Sequence, residues 1–171
     1  MGILYVTSFC CCMGLETGAR VIGLAHLVAS FSLMVVCATF AGRVHALVDT
    51  AEDAGDRLYT TWYRIAVAVT AVAVVHVLLA ATLIYASLRR NAAALRAWVW
   101  VMCALYAAAL LYCVAGAAYF GLSSSGSDIF VAFLEALVFF VFVGYCMLTV
   151  HSYYLLLRSC EEMDSPAKLD Y

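Results

Sequence analysis

The chain has 171 residues, of which 67% are hydrophobic and 12% are charged, and its formal net charge is −2. Soluble domains carry about 25% charged residues, so this chain lacks the polar surface that a globule in water needs, and we expect the bilayer to solvate most of it. The slightly acidic balance excludes the basic footprint of a nucleic-acid-binding protein.

Four apolar segments are long enough to cross a bilayer, since about 21 helical residues span roughly 31 Å. They predict an all-α fold, a four-helix transmembrane bundle, with spans at residues 21–41, 65–88, 97–120 and 129–157. Ala and Val alternate in part of the second segment, but an unpaired strand cannot satisfy its backbone in lipid, so we predict a helix there. The chain then divides into a cysteine-rich segment (residues 1–20), a membrane domain (residues 21–157) and a polar tail (residues 158–171).

Rows of small residues recur every fourth position in two of the spans. Because small side chains let membrane helices approach closely, we predict that these rows are helix-packing faces, either within the chain or between chains. The rows contain Ala25 and Ala29 in the first span, and Ala104, Ala108 and Gly116, interrupted by Tyr112, in the third.

The first loop, residues 42–64, alternates acidic and apolar positions in a helical pattern. Asp49, Glu52, Asp53 and Asp56 share one face. The pattern predicts a short amphipathic helix that lies on the membrane surface or extends the first span. The loop lacks the alternating oxygen ligands and the glycine of a calcium loop, so we predict no metal site in it.

The distribution of positive charge predicts the orientation. Four spans leave both termini on one side, and that side carries six positive residues against three on the other. The positive-inside rule therefore predicts that both termini are cytosolic. The positive residues on the terminal side are Arg20, Arg89, Arg90, Arg96, Arg158 and Lys168.

Three adjacent cysteines, Cys10, Cys11 and Cys12, precede the first span. In the predicted topology they face a reducing compartment, and juxtamembrane cysteines are typical sites of S-palmitoylation. Neither exterior loop contains a cysteine, which excludes the disulfide-braced loops of tetraspanins and claudins. We therefore predict lipidation at this cluster.

The stretch from Cys10 to Gly23 enters the first of four spans with the sequence Leu15-Glu16-Thr17-Gly18. This cysteine-rich start and Leu-x-Thr-Gly step resembles a family of small arthropod four-span membrane proteins of unknown function. It is similar to the Pasiflora proteins of insect septate junctions and, more distantly, to lysosome-associated four-span transmembrane proteins. The resemblance implies a structural or trafficking membrane protein without catalytic residues. Glu16 and Arg20 depart from the family pattern.

Glu135 is the one acidic residue inside a predicted span, and three histidines also lie in spans: His26, His76 and His151. A charge at mid-membrane costs about 2.5–3.5 kcal/mol, so we expect Glu135 to face the bundle and to bond Thr70, Tyr112 or Tyr119, or else to be protonated. The first interpretation of these groups is interhelical hydrogen bonding that fixes the packing. The second is a proton relay from Glu135 through His76 to His26 and His151.

No nucleophile–base–acid set, phosphate loop or metal-ligand spacing occurs in the sequence, and we predict neither an enzyme nor a cofactor. The leading interpretation is a non-enzymatic membrane scaffold at the plasma membrane, in a cell junction by resemblance. Its expected partners are membrane lipids and other membrane proteins or a second copy of itself, not nucleic acid. The alternative is a transport or endolysosomal trafficking subunit that uses Glu135 and the histidines.

Overall fold

A computed structural model of the protein describes residues 14–48, 50, 57–120 and 126–164. This part of the chain contains four α-helices and no β-strand. The helices are α1 Leu15–His45, α2 Leu58–Leu88, α3 Ala92–Phe120 and α4 Gly126–Asp164. By length and composition, each is apolar and long enough to cross a membrane. The prediction of an all-α fold with four spanning helices is confirmed.

The helices are longer than the apolar segments that predicted them. α1 begins six residues before its predicted span and continues to His45, which agrees with an extension of the first span into the loop. α4 has 39 residues, about 58 Å, so it exceeds the hydrocarbon core and includes the start of the predicted tail. Hydropathy locates only the residues that are apolar enough to lie in lipid. The helical backbone hydrogen bonds continue through the charged turns on either side of those residues. The four acidic residues of the loop, Asp49, Glu52, Asp53 and Asp56, lie outside the described residues, and so does the amphipathic pattern predicted for them.

Residues 21–85 form one compact unit, a helical hairpin made of most of α1 and α2. Gly23 lies against α2, and a Cβ atom placed on it would be 2.8 Å from Cγ1 of Ile84. At the other end of the hairpin, the rings of His45 and Tyr63 meet edge to face with centroids 5.1 Å apart. The small residue at position 23 therefore permits the close approach of the two helices.

The second unit contains residues up to Arg20 and from Ala86 onward, with α3 and α4 as its main elements. The Tyr106 hydroxyl donates a hydrogen bond of 3.0 Å to the backbone oxygen of Phe140, and the two rings pack edge to face. The buried side chains concentrate in the first half of α3 and the second half of α4. They include Leu95, Trp98, Met102, Val150 and Tyr153.

The turn between α2 and α3 is closed by backbone geometry. Arg90 has a left-handed conformation, with φ of 50°, at the position where helices commonly end in glycine. The amide of Asn91 donates to the Ala86 oxygen and the amide of Arg90 to the Ser87 oxygen, the two hydrogen bonds of a Schellman motif. The Asn91 side chain then caps α3 by accepting from the Ala94 amide at 3.1 Å.

The predicted rows of small residues are not the faces that pack within the chain. Ala25 and Ala29 on α1, and Ala104 and Ala108 on α3, are exposed, and Gly116 is half-buried. A row with a four-residue period drifts by about 40° at each step, so it winds around the helix instead of holding one face. Because of this drift, Ala41, which continues the four-residue spacing of Ala25 and Ala29, is buried although Ala25 is exposed.

Candidate functional site

Two histidines from different helices meet inside the α1–α2 hairpin. Nε2 of His26 and Nδ1 of His76 lie 3.0 Å apart, a hydrogen-bonding distance. Their ring centroids are 5.2 Å apart at an interplanar angle of 66°. One ring must donate an N–H and the other must accept it, so the hydrogen bond requires that at least one ring is neutral.

The antiparallel course of the hairpin brings these residues to one level. His26 is 11 residues from the start of α1, and His76 is 12 residues from the end of α2, about 17 Å in each case. Water is absent at such depth in lipid, so each ring supplies the hydrogen-bond partner that the other would otherwise lack. The sequence indicated that both histidines are intramembrane, but it did not pair them.

The acidic member of the predicted proton relay, Glu135, does not face the interior. The structure places Glu135 on the exposed face of α4, which contradicts the expectation that it faces the bundle, whereas the alternative that it is protonated stays a prediction. Thr70, a proposed partner, donates to the Ala66 oxygen of its own helix at 2.8 Å. His151 is half-buried on α4 beside Tyr154, with ring centroids 6.0 Å apart. Around Glu135, α4 exposes large apolar side chains such as Phe133 and Val138, so this part of the helix packs little against the described chain.

Glu135 instead shares a level with an exposed tyrosine of α3. The Tyr106–Phe140 contact fixes the register of the two helices. Tyr112 lies six residues beyond Tyr106, and Glu135 five residues before Phe140, so both are about 8–9 Å from that contact along their helices. Tyr112 is 81% exposed. Two polar side chains therefore lie at one level on the outer surface of the α3–α4 pair.

A second polar cluster lies in the unit that contains α3 and α4. Its residues come from the start of α1, the α2–α3 turn and the last third of α4. The Glu16 carboxylate accepts hydrogen bonds from Arg20 and, at 3.0 Å, from Arg90. Beside it, the Tyr153 side chain interacts with Ser87, yet both buried hydroxyls lack a hydrogen bond of ordinary geometry among the described residues. The four-residue spacing of Glu16 and Arg20 signals their pairing in the sequence. No sequence pattern signals Arg90.

The residues predicted to be lipidated, Cys10, Cys11 and Cys12, lie outside the described residues. The cysteines that the structure does describe, which include the exposed Cys160, form no disulfide with one another. The described residues also contain no group of three or more His, Cys, Asp or Glu side chains that could hold a metal ion. The His26–His76 pair is therefore a two-residue polar contact within that part of the chain.

Four long apolar helices indicate an integral membrane protein. No protein-family model, curated protein or solved structure matches the chain.

Proposed function

We propose that the protein is a non-enzymatic integral membrane interaction protein that associates laterally, through the outer face of α3 and α4, with another membrane helix. The observation that carries this proposal is the pair of exposed polar groups, Tyr112 and Glu135, at one level of two apolar helices. Lipid tails offer no hydrogen-bond partner, so a polar group exposed on a spanning helix is stabilised when a neighbouring helix covers it.

One small residue of α3 supports the same face. Ala108 precedes Tyr112 by one helical turn, a drift of only about 40°, and is exposed, so it leaves room for a second backbone to approach. Close backbone approach and an interhelical hydrogen bond are the two interactions that drive helix association in lipid, where burial of apolar surface does not. The α3–α4 face offers both.

The positive-inside count supports a cytosolic location for both termini. The resemblance of Cys10–Gly23 to four-span junction proteins supports the plasma membrane, at a cell junction, as the site of action. Staining of a tagged protein in a polarised epithelium tests this location. Lateral junctional staining agrees with it, whereas perinuclear vesicles favour the endolysosomal membrane.

Energy transfer between donor- and acceptor-labelled copies in liposomes tests the association with a second copy. We expect Ala108→Ile and Tyr112→Leu each to reduce the transfer at least threefold, since the first separates the backbones and the second removes the phenol. Val114→Ile is the control, because Val114 is 65% exposed on another side of α3 and the substitution adds a methylene there.

If the labelled copies show no energy transfer, the partner must be another membrane protein, and the next experiment identifies it. Cross-linking from Cys113, an exposed native thiol of α3, then identifies neighbours in cells. Capture of the same membrane protein by wild type and by Val114→Ile, but not by Ala108→Ile, supports the proposal. Capture of the same neighbours by the wild type, Val114→Ile and Ala108→Ile would contradict the proposal.

The His26–His76 hydrogen bond favours a second candidate function, movement of a proton or cation within the α1–α2 hairpin. Intramembrane histidine pairs of this kind occur on proton pathways as well as in packing contacts. Proteoliposomes with a trapped pH dye measure proton flux directly. Flux that His76→Leu abolishes and His151→Leu preserves would establish this function, and absence of flux in the wild type would exclude it.

A further inference from the structure

An open groove of about 490 Å³ lies between the first turns of α3 and the last turns of α4. Its lining contains two arginines from different helices, Arg96 and Arg158, together with Glu161, and three alanines of α3 leave its space open. Both arginines are exposed. The groove therefore presents two positive charges and one negative charge at one end of the α3–α4 pair.

Along the helix axes, the groove lining has a layer of charged residues followed by a layer of aromatic residues. Trp100 lies four residues beyond Arg96 on α3, and Tyr154 lies four residues before Arg158 on α4. Because the helices run in opposite directions, both aromatic residues lie one turn, about 6 Å, deeper than the arginines. Trp100 is 67% exposed. Cationic groups above an aromatic layer match the order of a membrane interface, where phosphates lie above the ester and upper acyl region.

We propose that this groove binds the headgroup of a membrane phospholipid that carries one phosphodiester and a net charge of −1, such as phosphatidylserine. Arg96 and Arg158 hold the phosphate and the headgroup carboxylate, and Glu161 receives the headgroup ammonium. The acyl chains descend past Trp100 and Tyr154. The net charge of the three ionised side chains is +1, which complements a single phosphodiester rather than a polyphosphate. Basic pockets between membrane helices at the cytosolic surface are a known form of lipid recognition.

This binding site is separate from the outer face of Tyr112 and Glu135, since it lies at the opposite end of α3. It requires only that α3 and α4 span the membrane, so its failure would leave the lateral association intact. It also gives Arg158 a role besides its contribution to the predicted orientation, and it gives Glu161 a role beyond membership of the polar tail.

Purified full-length protein in neutral detergent is titrated with phosphatidylserine that carries brominated acyl chains, and quenching of tryptophan fluorescence is recorded. We expect saturable quenching that Trp100→Phe reduces much more than Trp62→Phe does. Trp100 lines the groove, whereas Trp98 is buried and Trp62 lies at the start of α2, outside the groove lining. Replacement of Arg96 or Arg158 by Gln should weaken binding about fivefold each, the contribution of one cationic residue near an anionic lipid.

Arg64→Gln is the matched control for charge, and circular dichroism of each variant establishes that it is folded. A double Arg96→Lys, Arg158→Lys variant should retain most of the binding, because it keeps both charges. Equal quenching by brominated phosphatidylcholine would overturn the proposal, as would unchanged binding in the Gln variants. If inorganic phosphate displaces the lipid with an affinity equal to that of the lipid, the groove binds free phosphate and the proposal is wrong. Binding of a phosphoinositide at least tenfold tighter than phosphatidylserine would contradict recognition of a single phosphodiester.

Discussion

The carboxylate of Glu16 and the guanidinium of Arg90 form an ion pair of 3.0 Å between the first turn of α1 and the α2–α3 turn. The other carboxylate oxygen of Glu16 pairs with Arg20, one helical turn further along. Arg90 holds a left-handed backbone conformation, which costs an L-amino acid roughly 1–2 kcal/mol. The ion pair thus compensates for part of the strain at the turn.

This arrangement predicts that one substitution has effects of different size in two backgrounds. Arg90→Gly relieves the strain but loses the ion pair, so we expect a gain of about 1 kcal/mol in the Glu16→Gln background and a smaller gain in the wild type. Thermal unfolding in detergent at low salt, arranged as a double-mutant cycle, measures the difference. A coupling of zero would show that the ion pair contributes nothing.

A methyl group at position 23 should destabilise the α1–α2 hairpin. Gly23→Ala places a Cβ atom 2.8 Å from Cγ1 of Ile84, so either the Ile84 side chain or the helices must shift, and overpacking of this kind costs about 1–3 kcal/mol. Ile84→Ala removes the obstructing atom and should restore part of the loss in the double variant. Gly42→Ala, in the same helix with nothing within 4 Å, is the control and should be neutral or slightly stabilising.

The histidine pair predicts non-additive substitutions. His26→Leu or His76→Leu alone leaves the other imidazole without its hydrogen-bond partner, which costs about 1–3 kcal/mol. The double variant removes both polar groups, and we expect it to be more stable than the sum of the single losses implies. Unfolding measurements on the four forms give the coupling, and strict additivity would show that the 3.0 Å contact has no energetic role.

The cysteine cluster predicts acylation that is independent of the remaining cysteines. Acyl-exchange labelling of the protein from cells should detect a thioester, and replacement of Cys10, Cys11 and Cys12 by Ser should abolish it. Cys160→Ser is the control, because Cys160 also lies at the predicted cytosolic boundary and is exposed. Labelling that survives the triple replacement would place the acyl group elsewhere.

The charge distribution predicts the orientation. Epitope tags at both termini should be accessible after selective permeabilisation of the plasma membrane, and a tag inserted among residues 51–56 should be accessible in intact cells if the protein reaches the surface. Accessibility of the loop tag only after organelle membranes are opened indicates a luminal loop in an internal membrane. Terminal tags that face the exterior would reverse the topology.

The sequence by itself determined that the chain forms four spanning helices. Composition and segment length are sufficient for this, because lipid cannot hydrogen-bond the backbone and forces each apolar segment to satisfy its own. The sequence also located the intramembrane polar residues along each helix. It misplaced the ends of the helices, since charged turns such as those at Glu16 and Glu161 remain helical beyond the apolar segment.

Only the tertiary structure decided which side of each helix packs and which residues meet. Helices that are apolar on every side show no preferred face, because lipid and a neighbouring helix are equally apolar environments for a side chain. The sequence therefore could not determine that Glu135 is exposed, that Ala25 and Ala104 lie outside the packed faces, or that His26 bonds His76. Those outcomes depend on helix rotation and register, which contacts such as Gly23 with Ile84 and Tyr106 with Phe140 fix.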